Sequence, residues 1–448
     1  MGGESLAIEF TNNPQGVFYP GSMLEGVILL NLDEPLKVRH ITVCADGRAR
    51  NHWSDSESRT VSDGNGGTKS ESYSVPYSAE VIYAKGSSLA WHSPAESSYL
   101  PTGGHRFPFA LQVPANCPPS FESAYGYIRY RIHVEVDRPW RFNKRCQRLF
   151  TVSPVFDLNT IPQCAIPMMT SKVEKTGIIL FRKGNISLEC RLPKQGFVPG
   201  EAIVAECTVD NGSSKPVHLA KAKVVQHAHF IAYRHGNGSA TFHNGHHSSF
   251  RENRSSSRVL VSTEQALQIP PKSKGSFVIK LPIVSTVSSF NCCPITKVEY
   301  SFSVKVQSEA MLSNTVENQL PLIIGTVPLQ LQAVAAPVPN AIPSVYPTLP
   351  QNGNTPSSSS SSSSNNGSVY PSAPGVEYPQ PGAQAPPLPG WIAPPSYQEA
   401  VYGNEKPPAS EELDGFLPRY PVYNLSNVQP QTDTFYRAEP TAPPPMKM

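Results

Sequence analysis

The residues whose types and spacing could do chemistry point to recognition, not bond-making. Pro394, Pro395 and Tyr397 stand in the order P-P-x-Y. Consecutive prolines favour polyproline II, an extended helix ordered before it binds, so docking loses little further entropy. Two prolines on an aromatic groove with a tyrosine in a second pocket form the ligand that WW domains take. Leu417, Pro418 and Tyr420 repeat the pattern with leucine for the first proline, a degenerate second candidate. A segment so rich in Pro and Tyr also produces such a motif readily by composition. Pro371, Ser372, Ala373 and Pro374, and again Pro440, Thr441, Ala442 and Pro443, are similar to the P-[ST]-A-P tetrapeptide that recruits ESCRT-I. The plain alternative is ordinary Pro/Ala linker.

A second set of residues is cationic. Arg138, Arg141, Lys144 and Arg145 crowd into "RPWRFNKRCQR", and Arg129 and Arg131 share one face of the strand before it. Together they could meet phosphates or acidic lipid headgroups. The preferred reading is a solvated strand edge blunted by Lys and Arg, with Trp140 expected to pack. His227, His229, His235, His243, His246 and His247 are zinc ligands by type. Gly, Asn and Ser separate them without rigid spacing, so neither metal nor cofactor is expected. The eight cysteines form no C-x-x-C pair. Cys292 and Cys293 are adjacent, hence on opposite strand faces, and read as structural thiols. No Gly-rich phosphate loop and no G-x-S-x-G elbow occurs, so the chain is read as a non-enzyme.

Charge is nearly balanced, 37 Lys+Arg against 34 Asp+Glu, which argues against a nucleic-acid binder that must displace counterions. The start "MGGESLAIEFTNN" has no apolar signal-peptide core, and Leu6 stands where myristoylation of Gly2 needs Ser or Thr. No apolar run approaches the ~20 residues that cross a bilayer. The expected setting is cytoplasmic, with reduced thiols.

What positions these residues is a β scaffold. "GYIRYRIHVEVD" alternates: Tyr127, Arg129, Arg131, His133 and Glu135 on one face, and Ile128, Tyr130, Ile132, Val134 and Val136 on the other. That period of two marks a half-buried antiparallel strand. "EGVILLNL", "FPFALQVP", "AIVAECTV" and "SFVIKLPI" read likewise, and short strands with regular turns suggest β-sandwiches. The body also repeats. A strand, a turn, an aromatic-x-P-G element and a second strand occur at Phe18–Gly21 and again at Phe197–Gly200. The fold class is therefore all-β, with two tandem immunoglobulin-like sandwiches over 1–165 and 172–328, linked near 158–172. Residues 329–448, dominated by Pro and Ser, are expected to form a disordered tail.

Five stretches together resemble a known family. These are "FYPGSMLEGVILLNL", "GRARNHW", "YGYIRYRIHVEVDRPWRFNKRCQRLFTV", "KGNISLECRLPKQGFVPGE" and "LPLIIGTVPL". They are similar to the α-arrestins, or arrestin domain-containing proteins, across nearly all of 1–330. The resemblance implies an arrestin fold. It also implies an adaptor that brings WW-domain HECT-type ubiquitin ligases to membrane receptors or transporters, so that this cargo is ubiquitinated, endocytosed and sorted at plasma membrane and endosomes. Members of the receptor-trafficking type usually carry two P-P-x-Y copies, whereas this chain has one full copy.

Overall fold

The computed structural model describes residues 4–62, 67–94, 98–175, 184–234, 251–309, 315–330 and 416–423, with the backbone of 391–392. The strand Gly126–Asp137 organises the first sandwich. Ile128, Tyr130, Ile132, Val134 and Val136 are fully buried and alternate with half-buried Tyr127, Arg131, His133 and Glu135, as the pattern predicts. It pairs antiparallel with His40–Ser62 on one side and Lys144–Val152 on the other. Ser5–Phe10, Met23–Leu32 and Gly103–Gln112 form the opposing three-stranded sheet. Leu24, Ile28 and Leu30 from this layer are fully buried, and each such side chain contributes about 1.5–3 kcal/mol by leaving water.

The second sandwich repeats the plan. One layer holds Met168–Lys175, Asn185–Leu192, Ala202–Asn211 and Ser273–Pro282; the other holds Val217–Arg234, Arg251–Ile269, Thr296–Ser308 and Thr315–Ile324. The repeated aromatic-x-P-G element occupies the same place in both. Val17–Phe18 pairs in parallel with Lys144–Val152, and Gly196–Phe197 pairs in parallel with Thr315–Ile324. Phe18 and Phe197 are both core residues. Gly21 (φ 81°) and Gly200 (φ 92°) both turn the chain through the left-handed region that side chains disfavour. Their amides donate to equivalent carbonyls, Gly21 to Val113 and Gly200 to Ile283. A sequence duplication has become a structural one.

Two boundaries differ from the expectation. Met168–Lys172, read as linker, opens a strand of the second sandwich that runs to Lys175 and pairs with Asn185–Leu192 along its whole length. The connector proper carries two 3-10 turns, Leu158–Thr160 and Pro162–Ala165. The sandwiches also share a sheet. Tyr233 and Arg234 of the second pair with Ser78 and Tyr77 of the first, so one eleven-stranded sheet runs through both.

At the junction Asn51 is fully buried, and its Nδ2 donates to the Ile231 and Ile295 carbonyls at 2.9 and 2.7 Å. Its Oδ1 accepts from Thr296 Oγ1 at 3.0 Å. Around it Tyr125 meets Phe230 and Phe121 meets Phe290, both edge to face, the favoured geometry for aromatic pairs.

Candidate functional site

The tail does not leave the body unmarked. Residues 416–423, "FLPRYPVY", lie across the junction of the two sandwiches. Tyr420 is 2% exposed, and its hydroxyl donates to the Ser120 carbonyl at 2.8 Å, while its own carbonyl accepts from Ser285 Oγ at 3.1 Å. The Arg419 amide donates to Thr151 Oγ1 at 3.0 Å. The Tyr423 amide donates to the Pro199 carbonyl at 3.0 Å and its hydroxyl to the Thr326 carbonyl. Ser120 and Thr151 belong to the first sandwich, and Pro199, Ser285 and Thr326 to the second and its margin. Leu417 packs against the same core. The Tyr423 carbonyl oxygen lies 1.9 Å from where a Cβ on Gly200 would stand, so this glycine admits the segment. Trp391–Ile392 pairs antiparallel with Val422–Tyr423.

This placement changes the reading of the second WW candidate. Leu417, Pro418 and Tyr420 are not presented to a partner: Pro418 and Tyr420 are buried, and Leu417 is half-buried. A WW domain needs the tyrosine ring in its own pocket, which the body already fills. Pro394, Pro395 and Tyr397 lie outside the described residues, as do Pro371–Pro374 and Pro440–Pro443. The tail expected over 329–448 is therefore interrupted by a packed segment.

The cationic candidates separate into two groups. Arg129 is 8% exposed, and its Nε and Nη2 donate to the two Glu122 carboxylate oxygens at 2.6 and 2.9 Å, with Tyr127 stacked 4.0 Å from the guanidinium. Arg131 Nε donates to Asp46 Oδ2 at 2.8 Å, and Arg48 Nη2 reaches both Asp46 oxygens at 2.8 and 2.9 Å. These two arginines brace the sheet, and no spacing or motif pointed to Glu122 or Asp46 as their partners. Arg138, Arg141, Lys144 and Arg145 instead surround the hairpin tip, where Trp140, expected to pack, is 100% exposed. A turn only six residues long between paired strands has no core within reach of a tryptophan.

Burial alone would raise the Asp46 carboxyl, but the hydrogen bonds and charges of Arg48 and Arg131 outweigh it and hold it below the usual carboxylate range. A lowered folded-state value contributes stability above the ordinary carboxylate pKa, and that contribution is lost as the pH falls through the folded value. Asp46→Asn is expected to lower stability by about 1–2 kcal/mol at pH 7. The difference should shrink on acidification below about pH 4, and denaturant titrations at the two pH values check it.

Of the candidate histidines, the described ones, His227 and His229, bond to serines. His227 places its ring nitrogens 2.9 and 2.8 Å from the Ser257 and Ser301 hydroxyls, and His229 Nδ1 lies 2.9 Å from Ser255. His235, His243, His246 and His247 lie outside the described residues. Among the described residues no group of three or more His, Cys, Asp and Glu could hold a metal ion. A cavity of about 690 Å³ opens between the sandwiches, lined by Tyr19, Tyr83 and Cys117 from one and Cys292 and Pro294 from the other. Burial pushes the Cys117 thiol up to about 11, so it stays protonated and is a poor nucleophile at neutral pH.

Comparison with known proteins bears on both sandwiches. Residues 6–159 match the model for the arrestin (or S-antigen) N-terminal domain, and residues 182–329 match that for the arrestin (or S-antigen) C-terminal domain. Arrestin domain-containing protein 4 of Mus musculus is 29% identical over 343 residues, 72% of each chain. Arrestin domain-containing protein 17 of Caenorhabditis elegans is 27% identical over 355 residues, 78% of this chain and 75% of the relative. Arrestin domain-containing protein 1 of Mus musculus is 29% identical over 220 residues, 49% of this chain and 46% of the relative.

The chain belongs to the α-arrestin family.

In this α-arrestin the stretch "GRARNHW" carries the junction. A Cβ on Gly47 would meet the Tyr130 ring at 2.5 Å, so the glycine lets that buried tyrosine cross the sheet. Asn51 makes the three junction bonds, and Trp53 stacks on Tyr77 with ring centroids 6.1 Å apart. The resemblance noticed in the sequence therefore rests partly on residues that fix how one arrestin domain meets the other.

Proposed function

We propose that this α-arrestin is a trafficking adaptor. Its two sandwiches hold membrane-protein cargo, a receptor or transporter, and the segment that follows brings a WW-domain HECT-type ubiquitin ligase to it through Pro394, Pro395 and Tyr397. The adaptor makes and breaks no bond. It raises the effective concentration of ligase at cargo lysines, and ubiquitination, endocytosis and sorting follow. The protein works from the cytoplasm and is recruited to plasma membrane and endosomes.

One observation supports assigning the ligase to Tyr397: the competing tyrosine, Tyr420, is built into the domain junction. The test is co-precipitation of full-length protein from cell lysate. HECT ligases are expected with the wild type and should disappear with Tyr397→Ala. Retention in that variant would move the contact elsewhere and defeat the assignment.

A second output is supported by the two P-[ST]-A-P copies, one on each side of the docked segment. In this reading they recruit ESCRT-I for multivesicular-body sorting or for budding at the plasma membrane. In the same co-precipitation, Ala373→Leu combined with Ala442→Leu should remove ESCRT-I and leave the ligase in place.

A further inference from the structure

The hairpin between Gly126–Asp137 and Lys144–Val152 ends in "RPWRFN", and its apex is unusual in two ways. Trp140 is 100% exposed and Phe142 94% exposed, against a general tendency for large aromatics to be covered. Trp140 also has φ 63°, a left-handed backbone that bulky residues rarely adopt. Strain of this kind persists only where the surroundings enforce it. Here they do. Arg138 folds back so that its guanidinium donates to the Phe142 carbonyl, and its amide hydrogen-bonds Asn143 Oδ1 at 3.3 Å. The Arg141 amide donates to the Arg138 carbonyl, and Asn143 Nδ2 donates to Glu135. The turn is braced from below while both rings point into solvent.

The base of the tip is cationic. Arg39, Arg138, Arg141, Lys144 and Arg145 are offset by Glu4, Glu135 and Asp137, through pairs at 2.7 Å (Arg39–Asp137), 3.7 Å (Arg138–Glu4), 3.3 Å (Lys144–Glu4) and 3.0 Å (Arg145–Glu135). Five positive side chains face three negative ones, and Arg141 stands beside both exposed rings in the chain. The tip is also remote from the docked tail. Arg419 of that segment bonds Thr151, one step beyond the Tyr130–Phe150 pair, and the eight steps from Arg129 to Asp137 rise about 3.3 Å each, or about 26 Å before the turn begins.

We propose that this tip is a membrane-docking wedge. Trp140 and Phe142 enter the interfacial layer of a bilayer, and the surrounding Arg and Lys meet anionic headgroups. The chemistry favours a lipid surface over a protein groove. The apex is a hairpin tip, its aromatics stand at the furthest point, and its cations, two in excess of the carboxylates that pair with them, lie one step behind. That order matches the depth profile of an anionic membrane interface. A wedge of two rings gives weak, reversible binding. Stable residence at a membrane takes a second signal, and bound cargo would provide one. The inference is independent of the tail motifs.

Full-length protein sedimented with vesicles tests it. Binding is expected to vesicles of phosphatidylcholine with about 30% phosphatidylserine, to weaken with added salt, and to be much poorer with phosphatidylcholine alone. Trp140→Ser with Phe142→Ser should reduce partitioning at least tenfold, and Arg141→Glu severalfold, both with unchanged melting temperature because these side chains pack against nothing. Tyr397→Ala should bind vesicles like the wild type. Equal binding by the double variant would overturn the proposal. So would failure of the wild type to bind either vesicle; a cell-lysate protein captured by the wild type and lost with the double variant would then assign the tip to a protein contact instead.

Discussion

Asn51→Ala is expected to destabilise the protein by about 3 kcal/mol, near the upper end of what one side chain does. The side chain is fully buried and reaches from the first sandwich to three groups of the second. Truncation removes two donors from the Ile231 and Ile295 carbonyls and the acceptor from the Thr296 hydroxyl. It also leaves a void under the shared sheet, where no neighbour can collapse because Gly126 already lies against the amide. Asn51→Asp keeps the volume and replaces two donors by a carboxylate facing carbonyl oxygens, so it should do at least as much damage. Urea denaturation of both variants checks this. A midpoint within error of the wild type for Asn51→Ala would mean that the junction is held by its aromatics alone.

Tyr420→Ala is expected to act on a different equilibrium, the docking of 416–423. Truncating a buried aromatic costs about 3–5 kcal/mol, and an eight-residue segment with few other anchors cannot absorb that loss. Exchange of the Tyr423 amide, held by the Pro199 carbonyl, should accelerate at least 100-fold, since each ~1.4 kcal/mol is a decade. The melting temperature of the sandwiches should move far less. Tyr420→Phe loses only the hydroxyl bond to Ser120, about 1 kcal/mol, and should accelerate the same amide roughly fivefold. Burial raises the Tyr420 phenol well above its ordinary value, so the segment stays docked with a neutral ring across the working pH range. Unaltered exchange at Tyr423 in the alanine variant would show that Leu417 and Tyr423 suffice.

Alternation made the strands legible. The faces of Gly126–Asp137 were correct residue by residue except at Arg129, which is buried because Glu122 neutralises it from Phe121–Glu122, two residues that look like loop. The duplication was legible because a left-handed glycine and a buried aromatic recur at equal places. The reach of the central hairpin was not. His40–Ser62 and Thr68–His92 run 23 and 25 residues, and their outer halves are Ser- and charge-rich, held by backbone pairing and not by a buried face. Trp140 misled because size suggests burial, whereas its place at a hairpin apex decides the matter. The docked tail was missed for a related reason: composition averaged over 329–448 hides "FLPRYPVY", where five of eight residues are large and apolar.

The docked segment also sets a leash. Tyr397 lies 67 residues after Gln330, a contour of about 230 Å if only that end were attached. It lies only five residues after Ile392, which pairs with Val422 of the docked segment, so it stands within about 18 Å of that pair. The largest radius open to it shrinks about 13-fold and the volume roughly 2,000-fold, and the local concentration of anything bound to it rises with that confinement. Undocking Tyr420 would pay out the longer line. The same motif could then reach cargo lysines far from the sandwiches, but would visit each of them less often.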